Sequence, residues 1–379
     1  MGWNRVIGQK QVKELLRRAI GAGQVAHAYC FYGEEGVGKD ALAIEFARAL
    51  NCERQGTDSC GECSSCRKIE VLQHPQVRFV IALPSGKGEK TGDEPIKGFT
   101  EDQVSALQAE MATKARDPYH RISLSNANFI KVNSIREIRR QAALTPFQKG
   151  KKVFIVSNAE AMNLEASNSL LKTLEEPPAD TVIMLTTSRK EQLLSTIVSR
   201  CQQIRCGPLS EDEMTEALKT RDGVAEAEAR LAASLANGSF TAARALASED
   251  MSEMLQQVVH FLRLVLGTSS VALLDGVEHI LSSMERAEAS RWLRLVQVWL
   301  HQALAVRERH GANSEKDLEN FIRKFPHADL LRAADAVERS IALVEKNVYL
   351  PLIFITLAVE LKACIHGKPP ATVDSGLPS

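Results

Sequence analysis

Aromatic residues, net charge and long apolar runs are all scarce in this sequence. Aromatic side chains make up only 5% of it, which argues against a single-strand-binding surface on which bases stack. The 47 Lys and Arg residues are balanced by 47 Asp and Glu residues. Overall electrostatic attraction to nucleic acid or to an anionic membrane is therefore excluded as the main binding force, and any contact with DNA must come from a local patch.

Membrane and secretory signals are absent as well. The longest apolar run, at residues 350–359, is too short to span a bilayer and is followed by Glu360, which predicts a buried helix. The first residues lack both the basic and the apolar parts of a secretory signal. We therefore expect a cytoplasmic protein with no membrane partner.

Patterns of buried strands and helices alternate over the first 208 residues, which is typical of a parallel α/β sheet. Further along, apolar residues recur at three- and four-residue steps, which indicates helices. The 379 residues are thus expected to form an α/β domain, a small helical lid and a helical collar that mediates oligomerisation. The predicted bounds are 1–208 (strands at 28–32, 77–81, 153–156 and 181–186), 209–250 for the lid, 251–366 for the collar and 367–379 for a disordered tail.

Residues 84–128 interrupt this alternation. They begin with a stretch rich in Gly, Lys and Glu and continue into a polar helix predicted near residues 101–115. Their composition predicts a surface insertion that is partly mobile.

A P-loop is indicated between the first predicted strand and the next helix, where GEEGVGK runs from Gly33 to Lys39. Gly33, Gly36 and Gly38 let backbone N–H groups point at a phosphate, the helix start supplies positive potential, and Lys39 can reach the outer phosphates. The next position, where a Ser or Thr hydroxyl holds magnesium, is Asp40 instead. The loop is therefore either a weak nucleotide site or a tight structural turn, and ATP binding is doubtful.

A P-loop ATPase also needs an acidic pair after a neighbouring strand, for magnesium and for the attacking water. The strand predicted at 153–156 is followed by Ser157 and Asn158, and neither side chain can act as a general base. Glu160 comes too late in the chain and is interpreted as a solvated or helix-start residue. The sequence thus argues against ATP hydrolysis by this chain.

A cluster of cysteines follows the P-loop helix. Four thiolates in one short segment suit a structural, tetrahedral zinc site, and a reducing compartment disfavours disulfides. A redox cluster or free thiols are the alternatives, and nearby His74 is interpreted as the start of the next strand. The predicted zinc ligands, in the module at 52–66, are Cys52, Cys60, Cys63 and Cys66.

Together these features resemble the AAA+ clamp-loader subunits of bacterial DNA polymerase III, strongly over residues 3–205 and by helical pattern over 206–365. The likeness is greatest to the delta-prime type, which has lost catalytic residues, as Asp40, Ser157 and Asn158 indicate here; Thr241 also stands where motor subunits carry a sensor arginine. The resemblance offers no role for residues 84–128. The shared motifs, besides the P-loop and the cysteines, are VIGQ at 6–9, NSLLKTLEEPP at 168–178 and SRC at 199–201.

The resemblance implies a stator that assembles with motor and delta subunits in a hetero-pentamer and helps load the sliding clamp on primed DNA. It further implies that Arg200 acts in trans as an arginine finger on a neighbouring subunit's ATP, which is favoured over the alternative that Arg200 pairs with a carboxylate of its own domain. Two other functions stay open. The chain could be a gamma- or tau-like ATPase motor in which Asp40 binds magnesium and Glu160 replaces the missing acid, or, less in keeping with the cysteine module, an AAA+ repair or recombination factor.

A cluster of cations near the end of the insertion could contact DNA, or it could be the solvated face of a helix. Backbone N–H groups at helix starts could also hold DNA phosphates. The cluster comprises Lys131, Arg136, Arg139 and Arg140.

Overall fold

The chain forms two compact units that divide near residue 247. The prediction that the first unit divides again at residue 208 stays a prediction. Among the described residues, no helix is both long and apolar enough to cross a membrane. The structure, a computed structural model, describes residues 2–90, 92–144, 150–248, 252–267, 269–281, 284–309, 316–346 and 348–366; the tail predicted at 367–379 lies outside them.

Parallel strands in the order β2-β3-β4-β1-β5 make up the sheet of the first unit. The four strands expected from buried apolar runs are confirmed. The last strand was not predicted, because only Ile204 of its four residues is buried and the run carries no apolar signal. The strands are β1 Ala28–Tyr32, β2 Val77–Val80, β3 Lys152–Val156, β4 Thr181–Thr187 and β5 Gln202–Arg205.

Four helices of the first unit, α3, α4, α6 and α8, begin at a side-chain cap. Thr100 and Gln103 form a capping box at the start of α4, and the Asn163 side chain accepts from the Ala166 N–H at the start of α6, which satisfies otherwise orphaned donors. The helices are α1 Lys10–Gly21, α2 Lys39–Leu50, α3 Ser64–Glu70, α4 Glu101–Arg116, α5 Val132–Ala143, α6 Leu164–Glu175, α7 Ser195–Val198, α8 Glu211–Ala217, α9 Glu226–Leu235 and α10 Phe240–Ser248.

The sheet is buried on both faces, as the apolar strands require. Cys30 of β1 and Leu185 of β4 face a core that includes Leu170 of α6. On the opposite face, Tyr29 packs edge-on against Phe46 of α2, with ring centroids 5.1 Å apart. Helices on both sides thereby fix the carboxyl ends of the strands, where the P-loop lies.

In the second unit, every element among the described residues is a helix, as the sequence predicts. An aromatic cluster of Phe261, Trp292 and Phe354 lies in its core, and the Trp292 and Phe354 ring centroids are 5.2 Å apart. The helices are α11 Ser252–Leu266, α12 Ser270–Leu281, α13 Arg286–Arg309, α14 Lys316–Lys324, α15 Leu330–Glu345 and α16 Leu350–His366.

Candidate nucleotide and metal sites

The P-loop leaves the carboxyl end of β1 and leads into α2, as predicted. Ligands of open parallel sheets bind at this edge. Gly36 and Gly38 have φ values of 80° and 97°, in the left-handed region that favours glycine. The predicted residues Gly33, Gly36, Gly38 and Lys39 are therefore brought together in one loop.

Lys39 is turned back onto its own loop. Its Nζ donates to the carbonyl oxygens of Gly33 at 2.9 Å and Glu34 at 2.6 Å, and to the Ser188 hydroxyl oxygen at 3.0 Å. The residue is buried, and this burial lowers the pKa of the ammonium below its ordinary value. All three protons of the ammonium group thus have acceptors within the chain.

Asp40 is similarly satisfied. Its carboxylate accepts from the Thr186 hydroxyl at 2.6 Å, from the Ser157 hydroxyl at 2.9 Å and from Lys114 Nζ at 2.7 Å. Burial alone would raise the pKa of Asp40, but the Lys114 charge and the three hydrogen bonds outweigh it and leave the pKa below its usual value. Asp40 is therefore an ionised carboxylate with a complete set of protein partners.

The residues after β3 do not form an acidic pair. Ser157 is buried and donates to Asp40, while Asn158 has a left-handed φ of 52°, which Asn tolerates better than most residues. Of the two interpretations of Glu160, a solvated or a helix-start residue, the structure supports the second, and its Oε1 accepts from the Ser188 N–H at 3.0 Å. It lies in a short 3₁₀ turn, Ala159–Ala161, that follows β3.

The end of the insertion contacts the P-loop, so the expectation of a surface segment is wrong for this part. Lys114 lies at the end of α4 with its side chain only 4% exposed, and Tyr119 is buried. Sequence reasoning missed both residues because they lie about eighty positions from the loop they contact. The one available signal was Asp40 itself, since a carboxylate in a P-loop needs a cation.

The four predicted cysteines converge on one point. Their ligand atoms all lie within 4.8 Å of one another, and Cys60 Sγ and Cys66 Sγ are 3.9 Å apart. Tetrahedral zinc with Zn–S bonds of about 2.3 Å requires sulfurs about 3.8 Å apart. The N–H groups of Glu62 and Cys63 donate to Cys60 Sγ and lower the pKa of that thiol to about 6. This group can bind a metal ion without rearranging the chain.

His74 is not a competing ligand in this arrangement. Its Nε2 lies 3.0 Å from the Ser65 hydroxyl oxygen, and its Nδ1 accepts from the Gln76 N–H at 3.2 Å. Both ring nitrogens are therefore engaged near the start of β2, which agrees with the interpretation made from the sequence.

Arg200 lies just after α7 and pairs with a carboxylate of its own unit. Its Nη2 is 2.9 Å from Glu175 Oε1, and its side chain is 36% exposed. Its Nη1 also donates to the Thr196 carbonyl oxygen at 3.0 Å. An ion pair this exposed contributes little stability, so the guanidinium can leave Glu175 at small cost.

The cation cluster near α5 is largely neutralised. Lys131 Nζ contacts Glu89 Oε2 at 2.6 Å, Arg136 contacts Glu165 at 3.1 Å, and Arg140 contacts Glu137 at 2.7 Å. The exposed pairs of Arg136 and Arg140 favour a solvated helix face over a DNA-binding patch, while the Lys131 side chain is only 13% exposed.

Comparison with known proteins agrees with this geometry. The sequence model of the family described as DNA polymerase III, delta subunit, matches residues 8–210. The chain belongs to this family. Its curated relatives include the delta-prime subunits of Bacillus subtilis, 30% identical over 66% of this chain and 63% of that protein, and of Pseudomonas aeruginosa, 35% identical over 63% of this chain and 61% of that protein.

The tau subunit of Bacillus subtilis is 30% identical over 52% of this chain but only 28% of that protein, so the tau-like alternative is not favoured. The predicted resemblance to the delta-prime kind of clamp-loader subunit is confirmed, and the sheet with its P-loop agrees with the predicted AAA+ α/β fold. The matched stretch spans less than two thirds of the length of each delta-prime relative.

Proposed function

We propose that this chain is a delta-prime-like stator of the DNA polymerase III clamp loader, which assembles with motor ATPase and delta subunits in a hetero-pentamer. In that assembly it helps to load the sliding clamp on primed DNA. It supplies Arg200 in trans to the ATP of a neighbouring motor subunit.

One observation carries this proposal: the chain keeps its P-loop but has no acidic residue directly after β3. Ser157 donates its hydroxyl proton to Asp40, so it can neither hold magnesium as a carboxylate nor activate water. Such a chain supports ATP hydrolysis only by acting on a neighbour's nucleotide.

Arg200 is the residue suited to that role. A guanidinium that reaches a transferring phosphoryl group stabilises its charge and contributes roughly 10³–10⁵ in rate at the site it serves. Arg200 is 36% exposed and held by a half-exposed carboxylate, Glu175. The proposal requires Arg200 to exchange this partner for the γ-phosphate when the subunits assemble.

The test is DNA-stimulated ATP turnover of the reconstituted complex with Arg200→Ala. Turnover should fall because one motor site loses its arginine, while subunit assembly, measured by gel filtration, is unchanged. Arg136→Ala is the matched control, since Arg136 forms a comparably exposed ion pair with Glu165. Unchanged turnover in Arg200→Ala would refute the trans role.

ATP turnover by the isolated chain distinguishes the stator from the motor alternative. A stator should show no ATP turnover with or without Lys39→Ala. Turnover that Lys39→Ala abolishes would instead establish a gamma- or tau-like motor.

We also propose that the metal held by the four cysteines is zinc. A set of four thiolates with no open position suits structural zinc, and backbone N–H groups aimed at the sulfurs stabilise the thiolate form. Elemental analysis should give about one zinc per chain, as one such site requires. A well-folded preparation free of metal would contradict this.

A further inference from the structure

Residues 114–121 reach from the end of α4 back to the P-loop, and Lys114 makes the first of their contacts. Its Nζ donates to Asp40 Oδ2 at 2.7 Å and to the His120 carbonyl oxygen at 2.8 Å. The same Asp40 oxygen accepts from the Ser157 hydroxyl at 2.9 Å. The ammonium therefore lies between the eighth P-loop position and the residue that follows β3.

In an intact P-loop site, these two positions are where the protein holds magnesium. Here a buried cation already pairs with the carboxylate. A divalent ion would have to displace Lys114 and leave that ammonium without its charged partner, which is costly in a buried site. The Lys114 side chain thus supplies the positive charge that a metal ion would otherwise bring.

Tyr119 covers the loop itself. Its hydroxyl accepts from the Ile7 N–H at 2.8 Å, and its ring lies edge-on to Phe240 with centroids 5.1 Å apart. A Cβ on Gly38 would lie 2.6 Å from the Tyr119 hydroxyl oxygen. The Tyr119 side chain therefore requires glycine at position 38, independently of any bound phosphate.

The segment also contacts the small helical part of the first unit. Asp117 accepts a hydrogen bond from Arg244 of α10, which also donates to Asp222 at 3.0 Å. The Tyr119 ring meets α10 at Phe240 and lies 5.7 Å from the Arg221 guanidinium. One short segment thus joins α10 to the P-loop by charged, aromatic and hydrogen-bonded contacts.

We propose that residues 114–121 are an internal occupant of the P-loop site, with Lys114 in the place of a divalent cation and Tyr119 packed on the loop. Together with the hydrogen bond from the Phe240 N–H to the Gly36 carbonyl oxygen at 3.1 Å, the segment fixes α10 to the α/β part without nucleotide. A cavity of about 760 Å³ still opens beside these residues, which is large enough for a nucleotide. The exclusion of magnesium nucleotides is therefore due to occupied contacts and not to lack of space. This goes beyond the proposed function, which requires only an inactive ATPase.

The first test uses the full chain and a fluorescent ATP analogue with magnesium. An opened variant, Asp40→Ser/Lys114→Met/Tyr119→Ala, restores the P-loop hydroxyl and removes the occupant together with its charge. The matched control, Asp93→Ser/Lys97→Met/Tyr349→Ala, removes an Asp–Lys pair of the same insertion whose lysine is 60% exposed, and an exposed tyrosine. The opened variant should bind at least about tenfold more tightly than wild type and control, a difference of about 1.4 kcal/mol. Equal affinities would overturn the proposal.

A second measurement, of amide hydrogen exchange in α10, tests the proposal even if the opened variant does not fold. Asp117→Asn weakens the contact with Arg244 and should speed amide hydrogen exchange in α10 severalfold, since local opening controls that exchange. Asp180→Asn is the control, because Asp180 forms an exposed ion pair with Lys151 elsewhere in the unit. Identical exchange of α10 in the two variants, or micromolar binding of the magnesium analogue by wild type, would overturn the proposal. Neither result bears on Arg200, whose role is tested in the assembled complex.

Discussion

The cysteine cluster and the P-loop differ in what their donors do in the absence of a ligand. Cys52, Cys60 and Cys63 accept only weak N–H···S contacts of 3.3–3.4 Å, and Cys66 Sγ lies 3.9 Å from Cys60 Sγ, so the four sulfurs stay free to bind a metal. In the P-loop, Lys39 donates to three acceptors and Asp40 accepts from three donors, all within the chain. One site is arranged to receive a ligand, and the other is already satisfied.

This difference shows that a motif can keep its backbone geometry while its polar side chains are bonded to other groups of the same protein. The P-loop glycines still have left-handed φ values, yet the space next to Gly36 holds the Ser239 and Thr241 hydroxyls, within 2.2 Å of where a Cβ would lie. Retained glycines are therefore weak evidence for nucleotide binding. The partners of the polar side chains are the better criterion.

The largest effect on stability is expected at the cysteine cluster. Removing the metal with a chelator, or replacing Cys66 with Ser, should destabilise the first unit by at least about 3 kcal/mol, because binding of structural zinc contributes directly to folding. Thermal unfolding and zinc content measure this. Cys364→Ser is the control, since Cys364 is equally buried but lies outside the cluster. A Cys66→Ser chain that retains zinc and stability would contradict the assignment.

The next largest effect on stability is expected at the pair of Asp40 and Lys114 beside the P-loop. Lys114→Met leaves the Asp40 carboxylate without its cation and should cost about 3–5 kcal/mol of unfolding free energy. The double variant Asp40→Asn/Lys114→Met should recover most of that loss, because replacing both partners of a buried pair is often nearly neutral. Urea unfolding of the single and double variants measures the coupling.

Lys97→Met provides the control, since its ion pair with Asp93 has a lysine that is 60% exposed. Loss of less than about 1 kcal/mol is expected there. If Lys114→Met lost no more unfolding free energy than Lys97→Met, the ion pair between Lys114 and Asp40 would not stabilise the protein in solution.

The sequence predicts the cysteine site better than the P-loop site, because the residues that meet at the cysteine site are close together along the chain and those that meet at the P-loop are far apart. The spacing of Cys60, Cys63 and Cys66 is local, and a cap followed by one helical turn brings their sulfurs together. Asp40 and Lys114 are 74 residues apart, and nothing in a polar helix indicates which of its lysines turns inward. Strands β1 to β4 were likewise predictable from buried apolar runs, whereas the exposed strand β5 was not.

A smaller effect concerns pH. The folded pKa of Asp40 is lowered, so its contribution to stability is fully present above the unfolded value of about 3.9 and is lost as pH falls through the lower folded value. The difference in stability between wild type and Asp40→Asn/Lys114→Met should thus be constant between about pH 6.5 and 5, and it should shift against wild type below about pH 4. Melting temperatures of the two proteins measure it. Metal loss in acid affects both alike, so a constant difference down to low pH would contradict the assignment.

The smallest effect is expected at Arg121, the exposed last residue of the segment 114–121 that contacts the P-loop. Arg121 pairs with Glu35 of the P-loop at 2.6 Å, but the two side chains are 68% and 57% exposed. Arg121→Ala should therefore change the unfolding free energy by only about 0.2–1 kcal/mol, whereas Tyr119→Ala should cost about 3–5 kcal/mol, as for other buried aromatic residues. Denaturant titrations of the two variants compare them directly. A larger loss in Arg121→Ala would mean that surface charge, and not burial of Tyr119 and Lys114, holds the segment on the P-loop.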